Sequence, residues 1–327
     1  MHFLPSDEES AFARSLDALL SAAAVPDAVR AWSRGDHGPG RALFAKLADT
    51  GMFALAVPER YEGLGPLPVA AAVAFTELGR HAVPGPLVEG AAASVLLGAL
   101  AAAGVDGPAK RFLPELAAGT ALATLTLPGG GPYALDADAA AWRFTVTARD
   151  ELYLSPAGGA PLASTDPARR LFWPEPGGEL LAAGAPVAAA AAEAGRWARL
   201  LTAAQCLGVG EALLARTVAY VRERRQFGAP VGSFQAVKHR LADTLLGVEF
   251  ARPLVWAAAV SPGAAEVAAA KLSAGEAVYR TARTALQLHG AIGYTDELDL
   301  SLWLRKARPL RDAWGTPSAC RATVLPA

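Results

Sequence analysis

The apolar pattern of this chain changes period twice, and that limits the folds open to it. Up to about residue 118, and again from about residue 189, apolar side chains recur at the 3.6-residue spacing of amphipathic helices. Between these blocks the stretches "TALATLTL", "WRFTVTA" and "ELYLS" have the β-branched and aromatic content of short strands. "PGGGP" and "PEPGG" separate them as turns. A β module of about seventy residues set between two helical blocks excludes an all-α bundle and a regular βαβ alternation. It predicts a mainly α protein with a small β domain, divided at residues 1–118, 119–188 and 189–327.

The first block predicts four helices. "SDEESAFARSLDALLSAA" opens with Ser6 as N-cap and Glu9 three positions on, a capping-box pattern. "GRALFAKLADTGMFAL" gives a second helix, "LPVAAAVAFTELGRH" a third ending at Gly79, and "GPLVEGAAASVLLGALAAAG" a fourth. The Pro- and Gly-rich "VPERYEGLGP" reads as a loop. In the last block one long helix is expected from about Glu193 to Arg225. A second runs from about Ser233 to Ala259, with Pro253 expected to bend it or end its regular part. A third spans about Ala264 to His289 and a fourth about Asp299 to Ala313. Helices of this length with short connections suggest an antiparallel four-helix bundle.

Composition narrows the function. The 327 residues suggest about two domains on length alone. Hydrophobic residues make up 53% and charged residues 19%, and the net charge is -1, so no basic field invites nucleic acid. Two cysteines, Cys206 and Cys320, are too few for a disulfide framework and offer little to a metal. The opening "MHFLPSDEES" lacks a secretory pattern, and the longest apolar run, from Ala91, is too short to span a bilayer. The expected location is cytoplasmic, away from membranes.

Two stretches carry chemical information. In "RERRQFGAPVGSFQAVKHRLAD" a helix ends in Arg222, Arg224 and Arg225, followed by an aromatic and a glycine turn. Cations there complement the helix dipole; equally, a guanidinium fork donates paired hydrogen bonds to a phosphate while Phe227 packs on a flat ring. In "QLHGAIGYTDELDL" a helix stops at His289 and the backbone turns through Gly290 and Gly293. That is either a plain helix stop or a backbone approach to a ligand. His289 itself reads as a packed or capping histidine.

Taken together these stretches resemble the acyl-CoA dehydrogenase family. Arg224 to Gly228 match its R-x-x-F-G pattern, and Phe234, Gln235 and Asp243 continue the match. "QLHGAIGYT" is similar to its Q-x-x-G-G-x-G-[FY] segment, with Ala291 at the second glycine. "LFAKLADTGMFALAVPERYEGLG" and "FTELGRH" extend the resemblance to the first block; the β module carries it weakly. The resemblance implies an N-terminal helical domain, a reduced middle β domain, a C-terminal four-helix bundle and FAD bound between subunits. It assigns Arg224, Gln226, Phe227, Val231, Phe234 and Gln235, with Gln287, Leu288, Gly290 and Ala291 from the second loop, to the pyrophosphate and adenosine side of a neighbour's FAD. It further implies an acyl-CoA substrate desaturated at carbons 2 and 3, and an electron-transferring flavoprotein as acceptor. In that chemistry a carboxylate removes the α-proton and the flavin accepts hydride.

The carboxylate is what this chain lacks. Many relatives place a glutamate before a Gly-Thr pair, twenty-one positions after the last glycine of the Q-x-x-G-G-x-G segment. Counting from Gly293 reaches Trp314, followed by Gly315 and Thr316, with Arg305 at the place of the family's R-D-A arginine. An indole has no basic atom to offer. The family's other glutamate position precedes an arginine on the first bundle helix; here that pair is Ala198 and Arg199, with Gly208 keeping the register. The family's T-E-P-G turn carries Leu127 in place of its acid. Elements reaching a neighbour's flavin are kept, whereas those serving the chain's own are lost. The expectation is therefore a shortened subunit of an α2β2 acyl-CoA dehydrogenase. A full-length partner would hold the flavin ring, most of the acyl-CoA and the glutamate, and the substrate could be a steroid side-chain CoA ester. The alternatives are a homomeric flavoenzyme using Glu211, Glu297 or Asp312 as base, a non-catalytic structural subunit, or flavin oxygen chemistry.

Overall fold

A computed structural model describes residues 5–325. The reading of the first four residues as part of a non-secretory N-terminus, and the last two residues of the third block, lie outside the described residues.

Six helices build the first block: α1 (Asp7–Ala22), α2 (Val25–Ser33), α3 (Gly38–Ala48), α4 (Pro68–Arg80), α5 (Leu87–Ala102) and α6 (Gly107–Ala117). The capping box of α1 is complete, with Ser6 and Glu9 bonding reciprocally. Proline in the first turn starts α2, α3, α4 and α6, where its missing N–H costs nothing. The expected second helix is two pieces. It stops at Ala48, turns at Gly51 with φ 77° and resumes as a short 3-10 helix, Met52–Ala56. The block thus has two helices more than expected, α2 and α6, both short and proline-containing.

The middle region holds β1 (Ala123–Thr126), β2 (Ala134–Leu135), β3 (Trp142–Val146), β4 (Glu151–Leu154), β5 (Leu171–Phe172) and β6 (Glu179–Ala183). Its main sheet runs β1-β3-β4-β6, with β1 parallel to β3 and the other pairs antiparallel; β2 and β5 form a small separate ladder. β1, β3 and β4 fall within the three expected strand stretches, whereas β2, β5 and β6 had no clear pattern.

The last region contains α7 (Ala185–Glu223), the two-residue strands β7 (Arg225–Gln226) and β8 (Ala229–Pro230), α8 (Gln235–Val260), α9 (Ala264–His289), α10 (Leu300–Asp312) and α11 (Pro317–Val324). α7 starts eight residues before its expected Glu193, because "APVAAAAAE" is proline-started and alanine-rich. α8 runs unbroken through Pro253, so the proline does not end it; packing on α9 and α7 outweighs the one lost hydrogen bond. α11 was not expected. α7 is long and apolar enough to cross a bilayer by length and composition, but most of its apolar window is buried inside the protein as the central core helix.

α7 lies against α4 at unusually close range. A Cβ on Gly208 would stand 1.8 Å from the carbonyl oxygen of Thr76, and one on Gly79 would stand 2.3 Å from that of Gln205. The two glycines let the backbones meet, joining the first block to the bundle. One contiguous apolar core then runs through all three regions.

Candidate functional site

The two stretches singled out in the sequence lie next to each other. The phenol of Tyr220, one turn before Arg224, stacks on His289 at 4.2 Å and donates to the His289 carbonyl at 3.3 Å. This fixes the end of α7 beside the end of α9. His289 is buried, its Nδ1 lies 2.8 Å from the Ala285 carbonyl, and burial lowers its pKa; it is a packing histidine, as expected.

After α7, Arg224 adopts an extended conformation, and its carbonyl accepts from the Val231 N–H at 2.7 Å. Strands β7 and β8 flank a two-residue turn, Phe227 and Gly228, with φ of 53° and 79°. Left-handed values at both central positions give the twist that a tight hairpin needs. The turn holds the Phe227 ring 92% exposed, with Phe234 edge-on at 6.2 Å. Arg224, Gln226, Phe234 and Gln235 are exposed and Val231 is half-buried; Arg224 makes no ion pair among the described residues. On the second loop Gln287, Gly290 and Ala291 are exposed and Leu288 half-buried. Gly290 turns the chain at φ 65°; around both Gly228 and Gly290 a Cβ would meet nothing within 4 Å. The outcome is an open, cationic, aromatic ledge with room for a ligand against its backbone.

The chain's own cleft lies elsewhere, where the sheet meets the bundle. It encloses about 410 Å³ between the Leu127–Gly130 turn, the α7 positions from Ala188 to Arg199, and Trp314. Trp314 is not at its edge as a mobile group. Only 6% of it is exposed, its backbone holds φ 57°, and its indole N–H donates to Glu89 Oε1 at 3.0 Å. Its six-membered ring lies so close under Gly130 that a Cβ there would stand 2.5 Å away. A left-handed conformation is strained for a bulky residue and persists only where the surroundings hold it. Here Arg199 Nε donates to the Trp314 carbonyl at 3.1 Å, and Lys271 Nζ donates to the carbonyls of Arg311 and Gly315 at 2.8 and 3.2 Å. Burial lowers the Lys271 pKa.

Glu89, in the first turn of α5, is fully buried and its pKa is raised by that burial. Sequence reading passed over it; the one signal was an acid within an otherwise apolar helix. Ala198 is wholly buried and carries no polar side chain to the cleft. Leu127 is buried on its wall. Of the alternative bases, Glu211 is bound to Arg80 at 2.5 Å and to Arg252 at 2.8 Å, Asp312 pairs with Arg311, and Glu297 sits exposed on a loop; none lines the cleft. Asp150 does line it, exposed at the tip of the β3–β4 turn, a residue the sequence did not suggest. Arg305 is tied to Asp296. Cys206 and Cys320 are free and buried, and burial pushes the Cys206 thiol up to about 11.

A helical block, a small sheet and a long-helix bundle thus frame a cleft at the sheet–bundle junction. Residues 6–120 match the family pattern described as acyl-CoA dehydrogenase, N-terminal domain, and residues 187–325 that of the C-terminal domain. The chain belongs to the acyl-CoA dehydrogenase family, whose members depend on FAD. It is 35% identical over 314 residues to the acyl-CoA dehydrogenase IpdE2 of Mycobacterium tuberculosis, covering 93% of this chain and 92% of that one. Among solved structures it is similar to the ChsE4-ChsE5 complex of Mycobacterium tuberculosis, with TM-score 0.81, 25% identity and coverage of 99% and 98%. It is also similar to a variant of the Tcur3481-Tcur3483 steroid ACAD, with TM-score 0.82, 25% identity and coverage of 97% and 96%.

Proposed function

We propose that this chain is one subunit of a heteromeric, FAD-dependent acyl-CoA dehydrogenase, in which it clamps a flavin held mainly by an unlike, full-length partner. The single observation that carries the reading is the contrast between two places. The Arg224–Gln235 ledge is open and Arg224 makes no ion pair among the described residues, whereas Trp314, which the resemblance aligns with the family's glutamate, is buried and bonded to Glu89. The ledge fits the pyrophosphate and adenosine of FAD. The Arg224 guanidinium can donate two parallel hydrogen bonds to phosphate. Phe227 and Phe234 offer faces to a purine, and Gly228 and Gly290 leave the backbone bare. Bound FAD supplies hydride acceptance in 2,3-desaturation of an acyl-CoA. This chain's residues hold and orient it, while the partner supplies the carboxylate that takes the α-proton. In this reading its three parts are residues 1–118, 119–188 and 189–327, and the assembly is α2β2. An electron-transferring flavoprotein is the acceptor, and a steroid side-chain CoA ester is the substrate class.

An exposed apolar ridge on α8 supports a partner. Leu246, Phe250 and Leu254, one helical turn apart, are 52%, 70% and 40% exposed. Contiguous exposed apolar surface of this kind marks contact sites. The ChsE4-ChsE5 and Tcur3481-Tcur3483 neighbours each carry two components in their names, which supports the same assembly.

The test is co-expression with a full-length dehydrogenase encoded beside it. The two should co-purify with flavin, and Arg224→Ala in the complex should weaken flavin retention by about 1.5–3 kcal/mol, the worth of a charge-assisted phosphate contact. A lone homo-oligomer carrying stoichiometric FAD and desaturating an acyl-CoA unaided would overturn the proposal.

A further inference from the structure

We propose that the head of α10 is a binding site for a small phosphorylated molecule with a flat apolar body, of the size and chemistry of a nucleoside monophosphate. The site is separate from the Arg224–Gln235 ledge and from the sheet–bundle cleft, since no residue of either lines it. It stands whether or not the chain has an unlike partner.

Two cavities meet there. One, of about 340 Å³, lies between α9 and α10; the other, of about 220 Å³, lies between α2, the Asp166–Ala168 segment and α10. They share Ser301 and Arg305, one turn apart on α10. The first helical block, the middle region and the bundle thus all border the site. Ser301 is only 7% exposed, yet its hydroxyl makes no hydrogen bond among the described residues. A hydroxyl so covered ordinarily has a partner. What Ser301 borders is the cavity space itself, and a bound acceptor there would satisfy it.

The charges set the sign of that ligand. Five arginines line the two cavities, with Arg30 and Arg34 on one side, Arg283 and Arg308 on the other and Arg305 common to both. Against them stand two carboxylates, and both are already matched: Asp166 by Lys306 at 3.3 Å, and Asp296 by Arg305. Asp299, the N-cap of α10, is bound to Arg30 and makes no cap bond to its own helix, so the positive end of the helix dipole has no side-chain cap. Arg34, Arg283 and Arg308 are exposed and make no ion pair among the described residues. Three uncommitted guanidiniums and a free hydroxyl suit a dianion with several oxygens better than a single carboxylate, and the guanidinium fork matches phosphate.

The larger cavity sets the body. It is the more apolar of the two, walled by Ala282, Leu286 and Leu304 with Tyr279 and the exposed ring of Tyr294 beside them. Such walls take the faces of a planar ring system, while the phosphate stays at Ser301, which both cavities share.

The experiment titrates the purified full chain with adenosine monophosphate by calorimetry, with inorganic phosphate and adenosine as the two halves of the probe. The nucleotide should bind at one equivalent, more tightly than either half, and raise the melting temperature, because it binds the folded state. Arg308→Gln should weaken binding by about tenfold or more, and Ser301→Ala by about threefold or more, the losses of one charge-assisted and one neutral hydrogen bond. Neither side chain has a polar partner within the protein, so both variants should melt like the wild type. Arg224→Ala should leave the binding unchanged, which separates this site from the ledge. Nucleotide binding that survives both Arg308→Gln and Ser301→Ala would overturn the proposal, as would binding lost in Arg224→Ala. So would phosphate or adenosine binding as tightly as the nucleotide, or no nucleotide binding at millimolar concentration.

Discussion

At the scale of single residues, Trp314 shows what spacing can and cannot reveal. Counting from Gly293 singles out Trp314 by its position along the chain, which is all that such a count needs. Its hydrogen-bond partner was illegible, since Glu89 lies 225 positions away and meets it only through packing of α5 on the bundle. The same holds for Gly130, which reads as one of three turn glycines yet is the one that touches the ring. Gly130→Ala should force the indole or the turn to shift and cost about 1–3 kcal/mol, the usual range for overpacking. Pairing it with Trp314→Leu should recover part of that loss, because the colliding ring is gone. Chemical denaturation of the two single variants and the double variant measures the coupling. Additive losses would show that the contact is not the cause.

Among the elements, the long helices α7 and α9 were legible from period and length, and α9 was bounded correctly at both ends. The short helices α2, α6 and α11 were not, since each begins at or beside a proline and spans few turns of periodic pattern. What no pattern shows is how closely two helices approach. Gly208 and Gly210 lie two residues apart on α7, yet only Gly208 meets a backbone carbonyl. Gly208→Ala should cost about 3 kcal/mol by driving α4 away. Gly210→Ala, whose Cβ would rest 3.5 Å from Val248, should be neutral or stabilising by up to about 1 kcal/mol through helix propensity. Melting temperatures of the two variants decide this. The α8 ridge gives a second expectation at this scale. Phe250→Glu changes a side chain already 70% exposed, so it should leave the melting of the isolated chain within about 0.5 kcal/mol while weakening co-purification with the partner. A large loss of folding stability instead would place Phe250 in the chain's own packing rather than in an interface.

Across the whole molecule, polar groups as well as the apolar core fasten the small sheet region to both helical blocks. Asp136 accepts from Trp32 Nε1 at 3.0 Å and from the Arg170 N–H at 3.1 Å, tying α2 to the loop before β5. Lys306 on α10 pairs with Asp166 at 3.3 Å, both buried. Buried ionisable groups of this kind make stability depend on pH. Burial pushes the Asp136 carboxyl up to about 7, and does the same to Glu77 on α4. Each is an acid whose folded-state value lies above its unfolded one. Between about pH 4 and pH 7 the folded state therefore holds more protons than the unfolded chain, and the contribution of each group to stability falls as pH rises. Above pH 7 both states are ionised and the loss levels off. His37 and His289, whose pKa values are lowered chiefly by burial, work the other way below about pH 6.5. The slope of the wild type alone is thus a mixture, and a variant isolates one group. Asp136→Asn keeps an acceptor oxygen for Trp32 and Arg170 and suits the left-handed backbone at φ 50°. It should match the wild type near pH 4.5 and exceed it progressively toward pH 7, by at most about 1.4 kcal/mol per pH unit. Urea unfolding at several pH values reads the difference directly. A constant gap between the two proteins across this range would mean that Asp136 is ionised in the fold throughout, held by the donors around it rather than neutralised by burial.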